Sequence, residues 1–312
     1  MAWENQTFNS DFILLGIFDH RPTHIFLFSL VLGISAVAFM GNTIMVLLIY
    51  LDTQLHTPMY FFLSQLSLMD LMLISTTVPK MAFNYLSGSK SISMAGCATQ
   101  IFFYISLLGC ECFLLSVMAY DRYVAICHPL RYTNLMSPQI CGLLTASSWI
   151  LGSTDGVIDA VATFSFSYCG SREIAHFFCD FPFLLSISCS DTSTFEEVLF
   201  YCCIIMVVFP VAVIIFSYAR VILAVIHMGS GEGRHKAFAT CSSHLMVVGM
   251  YYGAVLFIYM RPMSNRSPTQ DKMVSIFYTI LTPTLNPLIY SLRNKEVARA
   301  FLKFFGKGKT RD

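Results

Sequence analysis

Two carboxylates stand alone inside long apolar runs, Asp70 in one and Glu111 in another. A charge in hydrocarbon is costly and is usually kept for a function. Asn42, Asn286 and Ser116 fall at comparable depth in their own runs. Two acids with amide and hydroxyl oxygens compose a site for a small cation, sodium in particular, or for a water cluster. The same groups also make a hydrogen-bonded core network with at least one acid protonated, and both readings stand. Asp155 and Asp159, four residues apart in a more polar run, face either a cavity or a loop. The string His176-Phe177-Phe178-Cys179-Asp180 has ligand types for copper or zinc, but a disulfide at Cys179 would remove the thiolate, so no metal is expected there. Neither a nucleophile–base set nor a metal cluster is found, so no enzyme is expected. The 11 cysteines are too few and too dispersed for a small disulfide scaffold, and no paired CxxC suggests zinc.

The elements that must position these groups follow from composition. The chain has 312 residues, 56% hydrophobic and 12% charged, with a mean hydropathy of +0.66. Soluble domains carry about 25% charged residues, so lipid must be the solvent for much of this surface. A net charge of +1 with no long basic block gives no ground for a nucleic-acid partner. Crossing a bilayer core of about 30 Å takes about 20 largely apolar residues in helix. Seven windows are predicted to do so: Ile25–Tyr50, Pro58–Pro79, Ala98–Tyr120, Ile140–Phe166, Val198–Ile226, Ala237–Met260 and Met273–Leu292. The expected fold is therefore all-α, a single seven-transmembrane helix bundle. It divides into an extracellular N-terminus (1–24), the bundle (25–292) and a cytoplasmic tail (293–312), with a short amphipathic helix after span seven.

An odd number of spans puts the termini on opposite sides. With the C-terminus inside, inner segments hold 12 basic residues and outer segments 7, which favours an outside N-terminus. Asn5-Gln6-Thr7 is a glycosylation acceptor usable only on that side. Cys169, Cys179 and Cys189, between spans four and five, suit an oxidising exterior. No basic region followed by an apolar run marks a cleavable leader, so the first span is expected to target the chain.

Six strings lie in order along the chain. Gly41-Asn42 is in span one, and the run from Leu55 to Ser64 (LHTPMYFFLS) opens span two. The run from Met118 to Cys127 (MAYDRYVAIC) ends span three, and Ser217-Tyr218 lies in span five. Lys236 to Leu245 (KAFATCSSHL) opens span six, and Asn286 to Asn294 (NPLIYSLRN) ends span seven. Together they resemble the odorant receptors, a branch of the rhodopsin-like G-protein-coupled receptors, over nearly the full length. The resemblance implies a plasma-membrane receptor that binds a small odorant and activates a stimulatory, olfactory-type heterotrimeric G protein, raising cyclic AMP. It implies that Asp121 holds Arg122 at rest, and that Arg122 is then released toward Tyr218 and a G-protein helix. Tyr123, His244, Pro287 and Tyr290 complete the activation set, Pro287 by removing a backbone donor. The family pairs Cys97 with Cys179 and Cys169 with Cys189.

Departures from other rhodopsin-like receptors narrow the ligand. Tyr251-Tyr252-Gly253 stands in span six where many relatives carry a Trp above a Pro, and mid-span seven has no lysine for a retinal Schiff base. Tyr104 stands where amine receptors place an aspartate, with Asp159 as a substitute anchor if it faces the cavity. By the resemblance, span three supplies the wall residues Tyr104, Ile105, Leu108, Gly109 and Cys112. Spans five and six supply Cys202, Met206, Tyr252, Val255, Leu256 and Tyr259, and span seven supplies Thr279. That wall carries no charge and predicts a small, neutral, mostly apolar volatile ligand. The same mechanism would also serve a non-olfactory chemosensor. A transporter would need related halves with broken helices, and no such repeat is found.

Overall fold

Hydrocarbon offers backbone groups no partner, so a chain this apolar pairs them within its own helices. The computed structural model describes residues 11–18, 22–227, 231–261, 267–292 and 295–305; Asn5, Arg293 and Asn294 lie outside them. Its helices are α1 (Pro22–Leu51), α2 (Pro58–Ser87), α3 (Met94–Cys127), the short α4 (Tyr132–Leu135), α5 (Pro138–Ser165) and the short α6 (Phe181–Ser186). They continue with α7 (Ser193–His227), α8 (Glu232–Tyr259), α9 (Pro268–Ile276), α10 (Thr282–Leu292) and α11 (Lys295–Phe305). A π-helical turn, Phe277–Leu281, joins α9 to α10, and the three form span seven.

Among the described residues six helices are long and apolar enough to cross a bilayer, one fewer than expected. The exception is span four, α5, which has the length, 28 residues, but a sequence diluted by Ser, Thr, Gly and two Asp. It still faces outward with a stripe of exposed Leu143, Ile150, Val157, Val161 and Phe164, the signature of a helix facing apolar solvent. The seven-helix bundle therefore stands, with both aspartates of α5 off this exposed apolar stripe. Span two also runs further than expected, through Pro79 to Ser87, and stops where Gly88 takes a left-handed conformation (φ 71°).

Helix α3 is the axis of the bundle, with 89% of its most apolar stretch buried. Its closest neighbour is α5, through Gly152 and Gly156. A Cβ on Gly152 would overlap the backbone of Ser106 and Cys110, and one on Gly156 the carbonyl of Phe102. Small residues four apart let two helices meet backbone to backbone in lipid.

A small sheet absent from the sequence expectations caps one end of the bundle. Its strands β1 (Phe12–Leu14), β2 (Ser91–Ile92) and β3 (Glu173–Ile174) run in the order β2-β1-β3. β1 is antiparallel to β2 and parallel to β3, with Phe12 opposite Ile92 and Leu14 opposite Ile174. Phe12 and Leu14 turn inward while Ile13 is exposed. Beside the sheet, Cys97–Cys179 and Cys169–Cys189 are disulfide-bonded, the pairing the resemblance implies. At the other end α11 is amphipathic, burying Val297 and Ala300 and exposing Phe301, Leu302 and Phe304. It is fixed by Lys303 to Asp52 at 3.3 Å and by the Tyr60 hydroxyl donating to Glu296 at 2.7 Å.

Candidate functional site

The close α3–α5 contact puts Asp155 and Asp159 beside Ile105, Leu108, Gly109 and Cys112 in one cavity of about 330 Å³. Helix α7 adds Cys202, Cys203, Met206 and Val207, and α8 adds Val255 and Tyr259. Phe181, Pro182 and Leu185 of α6 cover it, in a loop that the Cys97–Cys179 bond ties to the start of α3. Gln100 strengthens the tie, its Oε1 accepting from the Cys179 backbone N–H at 2.8 Å.

Eight of the twelve expected wall residues line this cavity and four do not. Tyr104 packs against Phe178, with ring centroids 4.6 Å apart, in the core behind the wall. Tyr252 spends its hydroxyl on the Cys112 carbonyl at 2.9 Å, and Thr279 spends its own on the Ser275 carbonyl at 2.7 Å. Leu256 is 43% exposed on the outer face of α8. These four share the depth of the wall but sit at the wrong angle around their helices. Span seven thus supplies no wall, and span four takes its place. The wall is also not charge-free, since Asp155, Asp159, Glu196 and Arg261 line it. Arg261 is committed to Asp271 and to Gln270, the latter at 3.1 Å, and Glu196 accepts from the Thr192 hydroxyl at 2.7 Å. The Tyr259 hydroxyl donates to Asp180 Oδ1 at 3.1 Å, joining α8 to the covering loop.

Below the cavity the expected polar groups form pairs. Asn286 Nδ2 donates to Asp70 Oδ2 at 3.0 Å, and the Tyr278 hydroxyl donates to Glu111 Oε2 at 3.0 Å. Asn42 Nδ2 donates to the carbonyls of Ala38 (3.0 Å) and Pro283 (2.9 Å). Ser116 turns back to the Phe113 carbonyl at 2.7 Å. Asn42 Oδ1, Glu111 Oε1 and Asn286 Oδ1 are buried without a partner. Tyr251, which the sequence marks only as a departure from other rhodopsin-like receptors, bonds α8 to α3 by donating to the Leu108 carbonyl and meeting Cys112 Sγ at 3.1 Å.

At the far end of α3 the expected Asp121–Arg122 ion pair does not form. Adjacent residues on a helix point about 100° apart and cannot face each other. Asp121 Oδ1 instead accepts from the Tyr132 hydroxyl of α4 at 2.8 Å. Buried Arg122 reaches Met59 Sδ at 3.6 Å, and its Nε has no partner. Tyr218 is not free to meet it, because its hydroxyl bonds His244 Nδ1 at 2.7 Å across α7 and α8. Tyr123 pairs with His128 Nε2 at 2.9 Å, and the buried hydroxyl of Tyr290 has no partner.

His176 and Asp52 are among the titratable groups outside the spans that are shifted. Burial, with the Lys272 charge adding to it, pushes His176 down to about 3. The Gln54 backbone N–H, followed by Lys303, holds the Asp52 carboxyl below its usual range.

Residues 29–307 match the protein-family profile described as Olfactory receptor. The chain is similar to Olfactory receptor 2M3 of Homo sapiens, 84% identical over 310 residues that cover 99% of each protein. It is 83% identical to Olfactory receptor 2M7 of Homo sapiens over 312 residues, 100% of both. Olfactory receptor 2V1 of Mus musculus is 58% identical over 96% of each chain.

Proposed function

Because the chain belongs to the olfactory receptor family, we propose that its odorant binds in the cavity between α3, α5, α7 and α8 and that the signal leaves through a stimulatory, olfactory-type G protein that raises cyclic AMP. The observation that carries the proposal is the continuity of α3. One buried helix lines the cavity at Ile105 to Cys112 and ends at Arg122. A ligand pressing on α3 strains the Tyr251–Leu108 and Tyr252–Cys112 links to α8. Rotation of α8 then opens the Tyr218–His244 contact and frees both partners for Arg122. The ligand is small and mostly apolar, as the volume and the aliphatic part of the wall require. Burial of about 250–300 Å² of ligand surface gains about 6–8 kcal/mol before association costs, which gives micromolar or weaker binding.

In this proposal the N-terminus and the disulfides face outside, Asn5 carries a glycan, and the tail is cytosolic with the exposed face of α11 in lipid. The unpartnered oxygens of Asn42, Glu111 and Asn286 fit a sodium ion or waters beside Asp70. The preference for a neutral ligand rested on a wall without charges, and this cavity has carboxylates. The test is expression with the olfactory stimulatory G protein and a volatile panel. Odorant-dependent cyclic AMP is expected, and its abolition by Met206→Trp, which fills the cavity, places the site. An undiminished response in that variant would move the site elsewhere.

A further inference from the structure

Asp159 is a carboxylate with an acceptor to spare. It is 4% exposed, it lines the cavity, and its Oδ1 has no hydrogen-bond partner. Asp155, one helical turn earlier, lines the same space. Neither is ion-paired among the described residues. The cavity's own cation is no help, because Arg261 is already held by Asp271 and Gln270. The packing that puts the carboxylates here is not incidental. Gly152 and Gly156 let α5 approach α3 backbone to backbone, and the face of α5 that carries both acids lines the cavity. A buried acceptor left unpaired is expensive, and buried polar groups as a rule find partners. No protein donor reaches Asp159 Oδ1, and it lines the cavity, so a molecule filling the cavity is placed to supply one. The lining also holds the aliphatic Ile105, Leu108, Leu199 and Val207, a wall that accepts a hydrocarbon body, and its third carboxylate, Glu196, already accepts from the Thr192 hydroxyl.

We infer that Asp159 is the polar anchor of the cavity, with Asp155 as a second acceptor, and that together they select odorants carrying an O–H or N–H donor on a compact apolar body. This rests on the odorant-receptor reading of the cavity. Acceptor-only molecules of the same shape, such as ethers and ketones, leave Asp159 unpaired and bind worse. Alcohols and protonated amines share the required chemistry and differ in charge, so Asp159→Asn separates them. It keeps an acceptor for an alcohol and withdraws the counter-charge of an ammonium group.

The test is thermal stabilisation of the purified full-length receptor by hexanol, hexylamine, hexanone and pentyl methyl ether, with cyclic AMP in cells read separately. Hexanol or hexylamine should stabilise wild type at concentrations about tenfold below the ketone and ether. Asp159→Leu should erase that preference, with Asp159→Ala carrying the comparison should the leucine variant not fold. Asp159→Asn should spare hexanol and weaken hexylamine. Equal binding of the ether and ketone, a donor preference that survives Asp159→Leu or Asp159→Ala, or no stabilisation by either donor probe overturns the anchor. Donor-selective stabilisation with no cyclic AMP signal would instead overturn the coupling and leave the anchor in place.

Discussion

Arg122 is 5% exposed, yet no carboxylate holds it. Its neighbour Asp121 is taken by Tyr132, and a guanidinium with unspent donors is suited to an incoming carbonyl or carboxylate. Arg122→Ala should therefore abolish odorant-driven cyclic AMP while leaving the receptor measurable at the surface, as read by an epitope tag. Full signalling would remove Arg122 from the mechanism. His176 gives a second prediction at this scale. Its folded pKa is near 3 and its unfolded value about 6.5, so unfolding takes up a proton in acid. The stability it lends is full above about pH 6.5 and falls as pH drops toward 3. Between neutrality and pH 5 the loss is about 2 kcal/mol. His176→Gln should flatten the fall in thermal midpoint over that range, and an unchanged slope would assign the acid sensitivity to another group. Neither the Tyr132–Asp121 bond nor the burial of His176 was legible in the sequence. Each depends on a partner in a loop whose path no periodicity records.

At the scale of elements the α3–α5 contact decides the cavity. Gly152 and Gly156 meet the backbone of α3, whereas a Cβ on Gly142 of the same helix meets nothing within 4 Å. Gly156→Leu should cost at least about 1–3 kcal/mol by overpacking and empty the surface of receptor. Gly142→Ala should be neutral or gain up to about 1 kcal/mol from helix propensity. Surface staining of the two variants checks this, and equal staining would mean that the contact is not tight. The spans were legible because six of them are long and apolar enough to cross a bilayer by composition alone. The fourth was the hardest to read, since its Ser, Thr and Gly, which read as weakness, are what lets it approach α3. Asp155 and Asp159 were visible as residues, but their facing the cavity was not, because helical phase relative to a neighbour is a tertiary fact. The strands of the capping sheet are two or three residues long, too short for alternation to show.

For the whole molecule, the covering loop must be held against the bundle for the cavity to exist. Cys97–Cys179 closes 82 residues of sequence and Cys169–Cys189 only 20. In the chain-entropy account the longer closure is worth about 1 kcal/mol more. The smaller loop also has other ties, with the Cys189 N–H donating to the Ser167 carbonyl at 3.0 Å and the Ser167 N–H to Ser190 Oγ at 2.9 Å. Loss of the first bond frees the α6 cover from α3, while loss of the second leaves a loop still hydrogen-bonded to itself. Cys97→Ser and Cys179→Ser should each remove most surface receptor, and the double variant should be no worse than either, because both delete one bond. Cys169→Ser should retain more receptor than Cys97→Ser. These are read by surface staining and by the thermal midpoint of whatever folds. Additive losses for Cys97 and Cys179 would show that they act separately. A Cys169→Ser defect as deep as that of Cys97→Ser would mean that the hydrogen bonds of the smaller loop cannot hold it without the covalent tie.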